Sequence, residues 1–145
     1  MVRVMASGVF DLLHTGHLHY LEEAKKMGDE LIVVVATDKT VQQQKHTPIT
    51  PQNMRRELVA ALKPVDRAVI GNDDDPLLIV EEIQPDIIAL GYDQSFKGLQ
   101  EKIHQRGLKA KIIRCTQYSG HDLNGTRKII RKIYKNRIMD APEEK

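Results

Sequence analysis

This 145-residue sequence has only one cysteine, no tryptophan and few other aromatic residues. The single cysteine, Cys115, excludes an intramolecular disulfide and is typical of a reducing compartment. No apolar stretch approaches the ~18 residues of a membrane-spanning helix, and the first residues lack the apolar run of a signal peptide. The formal net charge of +2 is too small to indicate nucleic-acid or anionic-membrane binding. We therefore expect a cytoplasmic protein with no nucleic-acid or membrane partner.

The length and composition are those of an ordinary globular domain. Apolar residues make up 41% of the chain and charged residues 29%, as in typical globular proteins. A chain of 145 residues is long enough to bury one sizeable core. No repeat or linker interrupts it, so we predict one domain over residues 1–138 and a short flexible tail over residues 139–145.

Short apolar segments alternate with helical patterns along the whole chain. The run Leu31–Ala36 is continuously apolar, which is typical of a parallel strand buried on both faces. Thr50 is the predicted N-cap of a helix that follows a short helix and mobile loop over residues 39–51. The alternation indicates an α/β fold, a Rossmann-like open five-stranded parallel sheet with helices on both faces. The predicted strands are residues 2–6, 31–36, 67–70, 87–90 and 111–114, and the longer helices are residues 18–27, 52–62, 77–83, 99–106 and 125–137.

The stretch from Ser7 to His17 carries the most chemistry. It joins the first predicted strand to the first predicted helix and turns through Gly8 and Gly16. Such a turn leaves unpaired backbone N–H groups and the positive end of a helix dipole facing outward, which is a natural seat for phosphate. The imidazoles of His14 and His17 donate hydrogen bonds to phosphate oxygens and, if protonated, add positive charge. A metal pair is the alternative, but no third ligand has a suitable spacing, so we predict no metal-binding residues.

This stretch resembles the signature of the HxGH-motif nucleotidyltransferases, the cytidylyltransferase-like superfamily; it runs Gly8-Val9-Phe10-Asp11-Leu12-Leu13-His14-Thr15-Gly16-His17. The resemblance implies transfer of a nucleoside monophosphate to a phosphorylated acceptor, with His14 and His17 as catalytic residues. It also implies that Asp11 contacts the acceptor. The alternatives are that Phe10 packs in the core and that Asp11 orients the loop. The implied nucleotide contacts in this stretch are Gly8, Val9, Phe10, His14 and His17.

A second feature of the superfamily is a helix start with hydroxyl groups near the end of the chain. The segment Gly125-Thr126-Arg127-Lys128 lies in that place, with Gly125 where a first hydroxyl is expected. The resemblance implies that Gly125, Thr126 and Arg127 contact the nucleotide phosphates. The alternative is a capped amphipathic helix with a solvated basic face.

Two basic residues match further features of the superfamily. Lys45 matches a loop lysine that closes on the phosphates, and Arg55 matches an arginine on the helix after that loop. The resemblance implies that both are catalytic and that Arg55 also binds the acceptor, because a guanidinium binds phosphate bidentately. A solvated side chain is the alternative for Lys45, which follows three glutamines.

Other candidates follow the predicted strands at residues 87–90 and 111–114. The resemblance implies nucleotide contacts from Gly91, which permits close backbone approach, and from Asp93, which can accept from ribose hydroxyls. A simple strand-to-loop turn is the alternative. Tyr92 and Tyr118 are the aromatic residues available to stack on a flat acceptor.

Several stretches are similar to the archaeal FAD synthases within this superfamily, at residues 28–36, 48–56, 62–66 and 85–94. That resemblance implies an EC 2.7.7 enzyme that transfers AMP from ATP to FMN. It also implies Mg²⁺, or another divalent cation, held mainly by the triphosphate. The alternatives are a cytidylyltransferase acting on glycerol 3-phosphate or a similar small phosphate, an adenylyltransferase acting on a sugar phosphate, and a nucleotide-binding regulator. Dimers are common among such relatives, so a homodimer stays open.

Overall fold

The computed structural model describes residues 1–44, 46–95 and 97–139. Lys45, which the sequence resemblance implies to be catalytic, lies outside the described residues. Residues 140–145 of the predicted flexible tail lie outside them as well.

Five parallel strands form one sheet in the order β3-β2-β1-β4-β5. The chain thus builds β1, β2 and β3 outward in one direction, then returns to place β4 on the other side of β1. This reversal of strand order lies between β1 and β4, and open α/β sheets bind ligands at such a point. The strands are β1 (Arg3–Gly8), β2 (Glu30–Val35), β3 (Arg67–Ile70), β4 (Ile87–Leu90) and β5 (Lys111–Arg114).

Within the described residues, six α-helices connect and follow the strands, and a π-helical segment, Tyr134–Met139, continues the last of them. None of the helices in the described ranges is long and apolar enough to cross a membrane. The helices are α1 (Thr15–Lys26), α2 (Asp38–Gln44), α3 (Gln52–Ala60), α4 (Leu78–Ile83), α5 (Leu99–Gln105) and α6 (Thr126–Ile133).

The apolar run of β2 is buried on both faces of the sheet, as its sequence predicts. Successive side chains of a strand point to opposite faces, so Val33 and Val35 join one core cluster and Ile32 and Val34 the other. Helices α1 and α3 cover the first cluster, and α4 and α5 cover the second. The predicted α/β fold, a Rossmann-like parallel sheet with helices on both faces, is confirmed.

The prediction that Thr50 is the N-cap of α3 is wrong. Pro51 occupies the N-cap in an extended conformation, and no side chain caps the helix. The Thr50 hydroxyl instead donates to Oδ1 of Asp11 at 2.8 Å. The Thr50 side chain therefore bonds a residue distant in sequence and does not cap α3.

Candidate active site

The loop between β1 and α1 has an unusual backbone. Phe10 and Leu12 adopt positive φ angles of 56° and 54°, a left-handed region that costs non-glycine residues energy. The Phe10 side chain is 2% exposed and packs in the core. A Cβ on Gly8 would lie 3.0 Å from its ring, so the glycine makes room for it. Core packing was one of the two interpretations of Phe10, and it leaves only the backbone to contact a nucleotide.

His14 and His17 are held in place by the start of α1. His14 is the N-cap, and its Nδ1 accepts from the backbone N–H groups of Gly16 at 3.0 Å and His17 at 3.3 Å. The Nδ1 of His17 in turn accepts from the N–H of His14 at 3.3 Å, which completes a capping box. The N–H groups of Gly16 and His17 are therefore capped, whereas the sequence predicts unpaired N–H groups facing outward here.

Both histidines are consequently assigned the same tautomer. A neutral imidazole has one donor and one acceptor nitrogen, and because both Nδ1 atoms accept, each ring carries its hydrogen on Nε2. The rings stack with centroids 3.7 Å apart. The arrangement provides two N–H donors on neighbouring rings.

The histidines are neutral in the free protein at pH 7. The pKa of His17 is lowered to about 3, chiefly by burial and also by the neighbouring His14, while the carboxylate of Asp11 opposes the shift. Burial also lowers the pKa of His14. The positive charge considered from the sequence is therefore absent before an anion binds.

Asp11 orients neighbouring segments of chain, one of its two predicted roles. Its carboxylate is buried and accepts from the backbone N–H groups of Ile49 at 2.7 Å and Thr50 at 3.0 Å. Its carbonyl accepts from the hydroxyl of Thr126 at 2.7 Å. Asp11 thus connects the β1–α1 loop to the segment before α3 and to the start of α6.

The start of α6 lies against the start of α1. A Cβ on Gly16 would lie 2.8 Å from the carbonyl oxygen of Asn124, so the two helix starts come together only because this residue is glycine. Gly125 is the N-cap of α6 and supplies no side-chain cap, which leaves the first N–H groups of the helix without that partner. Arg127 is exposed in the first turn. The structure thus brings the predicted α6 residues next to the histidine loop.

A cavity of about 350 Å³ opens between the two helix starts. The part of its wall that precedes α6 does not follow from the sequence, because no local pattern marks those residues. The signal available was their position immediately before the helix start that the family resemblance points to. The lining residues are Leu13, His14, Thr15, His121, Asp122, Leu123 and Ile129.

Arg55 does not match the predicted phosphate contact. Its side chain is completely buried, and its Nη1 donates to the carbonyls of Val9 and Ala36, both at 2.8 Å. Its Nε donates to the carbonyl of Thr50 at 2.9 Å, and its Nη2 pairs with Asp38 at 2.7 Å. In this conformation Arg55 is a positioning residue beneath the site rather than a ligand of phosphate.

The segment after β4 borders the site from the other side. Gly91 is buried, whereas Tyr92 is 47% exposed and Asp93 is exposed. Arg114 gathers this segment: its Nη1 donates to the carbonyls of Gly91 at 3.1 Å, Tyr92 at 2.9 Å and Gln94 at 2.7 Å. The sequence analysis did not identify Arg114 or Gln94 as part of the site.

Tyr118 lies in the segment between β5 and α6. Its ring centroid is 5.4 Å from that of His19 on α1 and 6.1 Å from that of His121, which lines the cavity. A Cβ on Gly120 would lie 2.2 Å from the Tyr118 hydroxyl, so that glycine makes room for the ring. The structure places Tyr118 beside the cavity wall and Tyr92 beyond the end of β4.

The chain has close relatives among known proteins. The family model described as cytidylyltransferase-like matches residues 5–140. A protein of Aciduliprofundum boonei named FAD synthase is 58% identical over 135 residues, which is 92% of this chain and 91% of that protein. A protein of the same name from Thermoplasma acidophilum is 51% identical, covering 92% of this chain and 94% of that protein.

A solved structure agrees in fold and in sequence. It is the crystal structure of a lipopolysaccharide core biosynthesis protein from Thermoplasma volcanium, with a TM-score of 0.80 and 51% identity. The match covers 82% of this chain and 99% of that one. The HxGH resemblance and the family model agree, and the chain belongs to the cytidylyltransferase-like family.

Proposed function

We propose that the chain is an FMN adenylyltransferase, which joins FMN to the AMP portion of ATP to form FAD and releases pyrophosphate. The observation that carries nucleotidyl transfer is the pair of neutral Nε2–H donors of His14 and His17 beside the start of α6. FMN as the acceptor is supported by relatives named FAD synthase that align over more than nine-tenths of both chains.

The proposed reaction is an in-line displacement at the α-phosphorus of ATP. An oxygen of the FMN phosphate forms the new P–O bond while the bond to the β-phosphate oxygen breaks, and pyrophosphate leaves with the electron pair. The FMN phosphate is already an anion at neutral pH, so the step needs positioning and charge stabilisation rather than a strong base. His14 and His17 donate to the phosphate oxygens as charge develops.

The remaining proposed phosphate contacts come from the α6 side of the site. The first N–H groups of α6 face the anion together with the positive end of the helix dipole. Arg127 and the loop residue Lys45 add positive charge. Gly8, Val9, Gly91 and Asp93 contact the nucleoside, and Tyr92 and Tyr118 are the candidates for contact with the flavin ring.

The divalent cation is proposed to arrive as MgATP. No group of three His, Cys, Asp or Glu side chains in the described ranges is arranged to hold a metal. Mg²⁺ keeps most of its waters and commonly binds through substrate phosphates. Its chemistry here is neutralisation of charge on the pyrophosphate leaving group.

The test is pyrophosphate release from ATP or CTP, with Mg²⁺, across FMN, glycerol 3-phosphate and heptose 1-phosphate. We expect release with ATP and FMN, a product with the mass of FAD, and loss of activity in EDTA that Mg²⁺ restores. A sugar phosphate is the second candidate acceptor because the 51% identical protein of known structure is described as a lipopolysaccharide core biosynthesis protein. Release with heptose 1-phosphate and none with FMN would replace FMN as the acceptor.

A further inference from the structure

The pairing of β1 with β4 ends earlier than its pairing with β2. The β1–β2 register continues to Gly8 opposite Val35, whereas the β1–β4 register ends at Ala6 opposite Ala89. The two central strands therefore part at the reversal of strand order, the place where open α/β sheets have a ligand-binding crevice.

The directions of the backbone groups show which hydrogen bond a continued ladder would make next. The carbonyl of Gly8 points to β2, where it accepts from the N–H of Ala36. In a parallel ladder successive residues bond to opposite neighbours, so the backbone groups of Ser7 point to β4. The carbonyl of Leu90 accepts from β5, so the N–H of Gly91 points to β1. A continued ladder would join the Gly91 N–H directly to the Ser7 carbonyl.

The carboxamide of Gln94 stands between those two groups. Its Oε1 accepts from the N–H of Gly91 at 2.8 Å, and its Nε2 donates to the carbonyl of Ser7 at 2.9 Å. The hydroxyl of Tyr20 contacts the same edge, accepting from the N–H of Ser7 at 3.1 Å and donating to the carbonyl of Ala89 at 2.7 Å. Both backbone groups are thus hydrogen-bonded while the strands are kept one amide group further apart.

We propose that Gln94 is a positioning residue that holds the ends of β1 and β4 apart and thereby sets the affinity of the crevice for a nucleoside triphosphate. This inference rests on the proposed function for the identity of the ligand. Arg114 fixes the carbonyl side of the same segment, so removal of Gln94 frees only the end that faces β1. A crevice already held open needs no reorganisation when the ligand binds.

The experiment compares Gln94→Met, which keeps the length of the side chain without its hydrogen bonds, with Gln84→Met. Gln84 is an exposed residue at the end of α4, and its Nε2 donates to the carbonyl of Glu81 at 2.7 Å. ATP binding is titrated by calorimetry without acceptor, and kcat, KM and Tm are measured as well. We expect Gln94→Met to weaken ATP binding by about tenfold, because ATP must then separate strand ends that the two lost hydrogen bonds no longer hold apart. The kcat at saturating ATP and the KM for FMN stay within about twofold of wild type.

Tyr20→Phe provides a second variant, with the exposed Tyr134→Phe as its control. We expect Tyr20→Phe to weaken ATP binding too, and the double variant to lose less than the product of the two single losses, because both side chains act on one gap. Unchanged ATP affinity in Gln94→Met, with only Tm lowered, would overturn the inference. A wild-type protein that binds ATP but makes no FAD would contradict the proposed function alone. A wild-type protein that does not bind ATP would overturn both.

Discussion

At the scale of single residues, the imidazoles of His14 and His17 have two tasks. Each Nδ1 accepts from the backbone at the start of α1, and each Nε2–H is the donor that we propose for the substrate phosphates. Burial keeps both rings neutral by lowering their pKa values. The two tasks can be separated, because asparagine is a good N-cap and glutamine is the usual N3 partner of a capping box.

We expect His14→Asn and His17→Gln to fold as the wild type does and to lose activity. Each replacement keeps an acceptor for the cap, so Tm should stay within about 4 °C, the shift that ~1 kcal/mol produces in a domain of this size. The amide N–H₂ of either replacement does not lie where the imidazole Nε2–H lies, so one preorganised donor is lost and kcat should fall by about 10²–10³-fold. Pyrophosphate release at saturating substrates measures kcat, and His104→Gln, at an exposed histidine, is the control. Full activity in His17→Gln would remove this residue from the mechanism.

Acid unfolding supplies a second measurement on His17. Its pKa is about 3 in the folded protein and about 6.5 in the unfolded chain, so between these values the unfolded chain binds a proton that the folded protein does not. Stability is therefore complete above pH ~6.5 and is lost as the pH falls toward 3, by up to about 1.4 kcal/mol per pH unit from this group. The urea-unfolding free energy of His17→Gln should fall less steeply with acid. Parallel curves for variant and wild type would contradict the assignment.

At the scale of elements, the site depends on how closely α1 and α6 approach. Helix α6 has no buried residue of its own, so its start is positioned by few contacts. One is the hydrogen bond from Thr126 to the carbonyl of Asp11, and another is the contact of Gly16 with the carbonyl of Asn124. The start of α6, where we propose that phosphate binds, is therefore held by the histidine loop itself.

Gly16→Ala tests this approach, with Gly125→Ala as the matched control. The new Cβ at residue 16 would lie 2.8 Å from the Asn124 carbonyl oxygen and 2.9 Å from the ring of His14, whereas one at residue 125 would meet only the Lys128 side chain at 3.9 Å. We expect Gly16→Ala to cost about 1–3 kcal/mol of unfolding free energy and to lower kcat/KM for ATP. Gly125→Ala should cost under about 1 kcal/mol. Urea unfolding measures the stability of both variants, and steady-state kinetics are measured for Gly16→Ala. Equal losses of unfolding free energy in the two variants would contradict the close approach.

At the scale of the whole molecule, the guanidinium of Arg55 joins parts of the chain that are distant in sequence. It binds the carbonyls that follow β1 and β2, the segment before α3, and the first residue of α2. These segments meet at the carboxyl ends of β1 and β2, so one buried cation determines their relative positions.

We expect Arg55→Met to lower the unfolding free energy by about 3–5 kcal/mol, because it leaves Asp38 and buried carbonyls without their donor. Arg56→Met, at the next residue, should change it by less than about 1 kcal/mol. Urea unfolding measures both. If Arg55→Met kept the stability of the wild type and raised only the KM for the acceptor, Arg55 would be the direct phosphate ligand that its sequence match implies.

The order of the elements, the sheet class and the family can all be predicted from the sequence alone. Continuous apolar runs such as Leu31–Ala36 predict buried parallel strands. The HxGH stretch follows the first predicted strand, so local patterns also locate the candidate site at a strand end. Roles that depend on distant partners do not follow from local patterns. The Thr50 hydroxyl bonds Asp11 instead of capping α3, and Arg55 is buried under the β1–α1 loop instead of facing a phosphate.

Three features depend on the folded structure: the protonation of the histidines, the cavity wall formed by residues 121–123, and the bridge that Gln94 makes between β1 and β4. Each of these depends on burial or on contacts between segments far apart in the chain. Local patterns of hydrophobicity and capping reveal neither this burial nor these contacts. Both arise only when folding brings the carboxyl ends of the strands together.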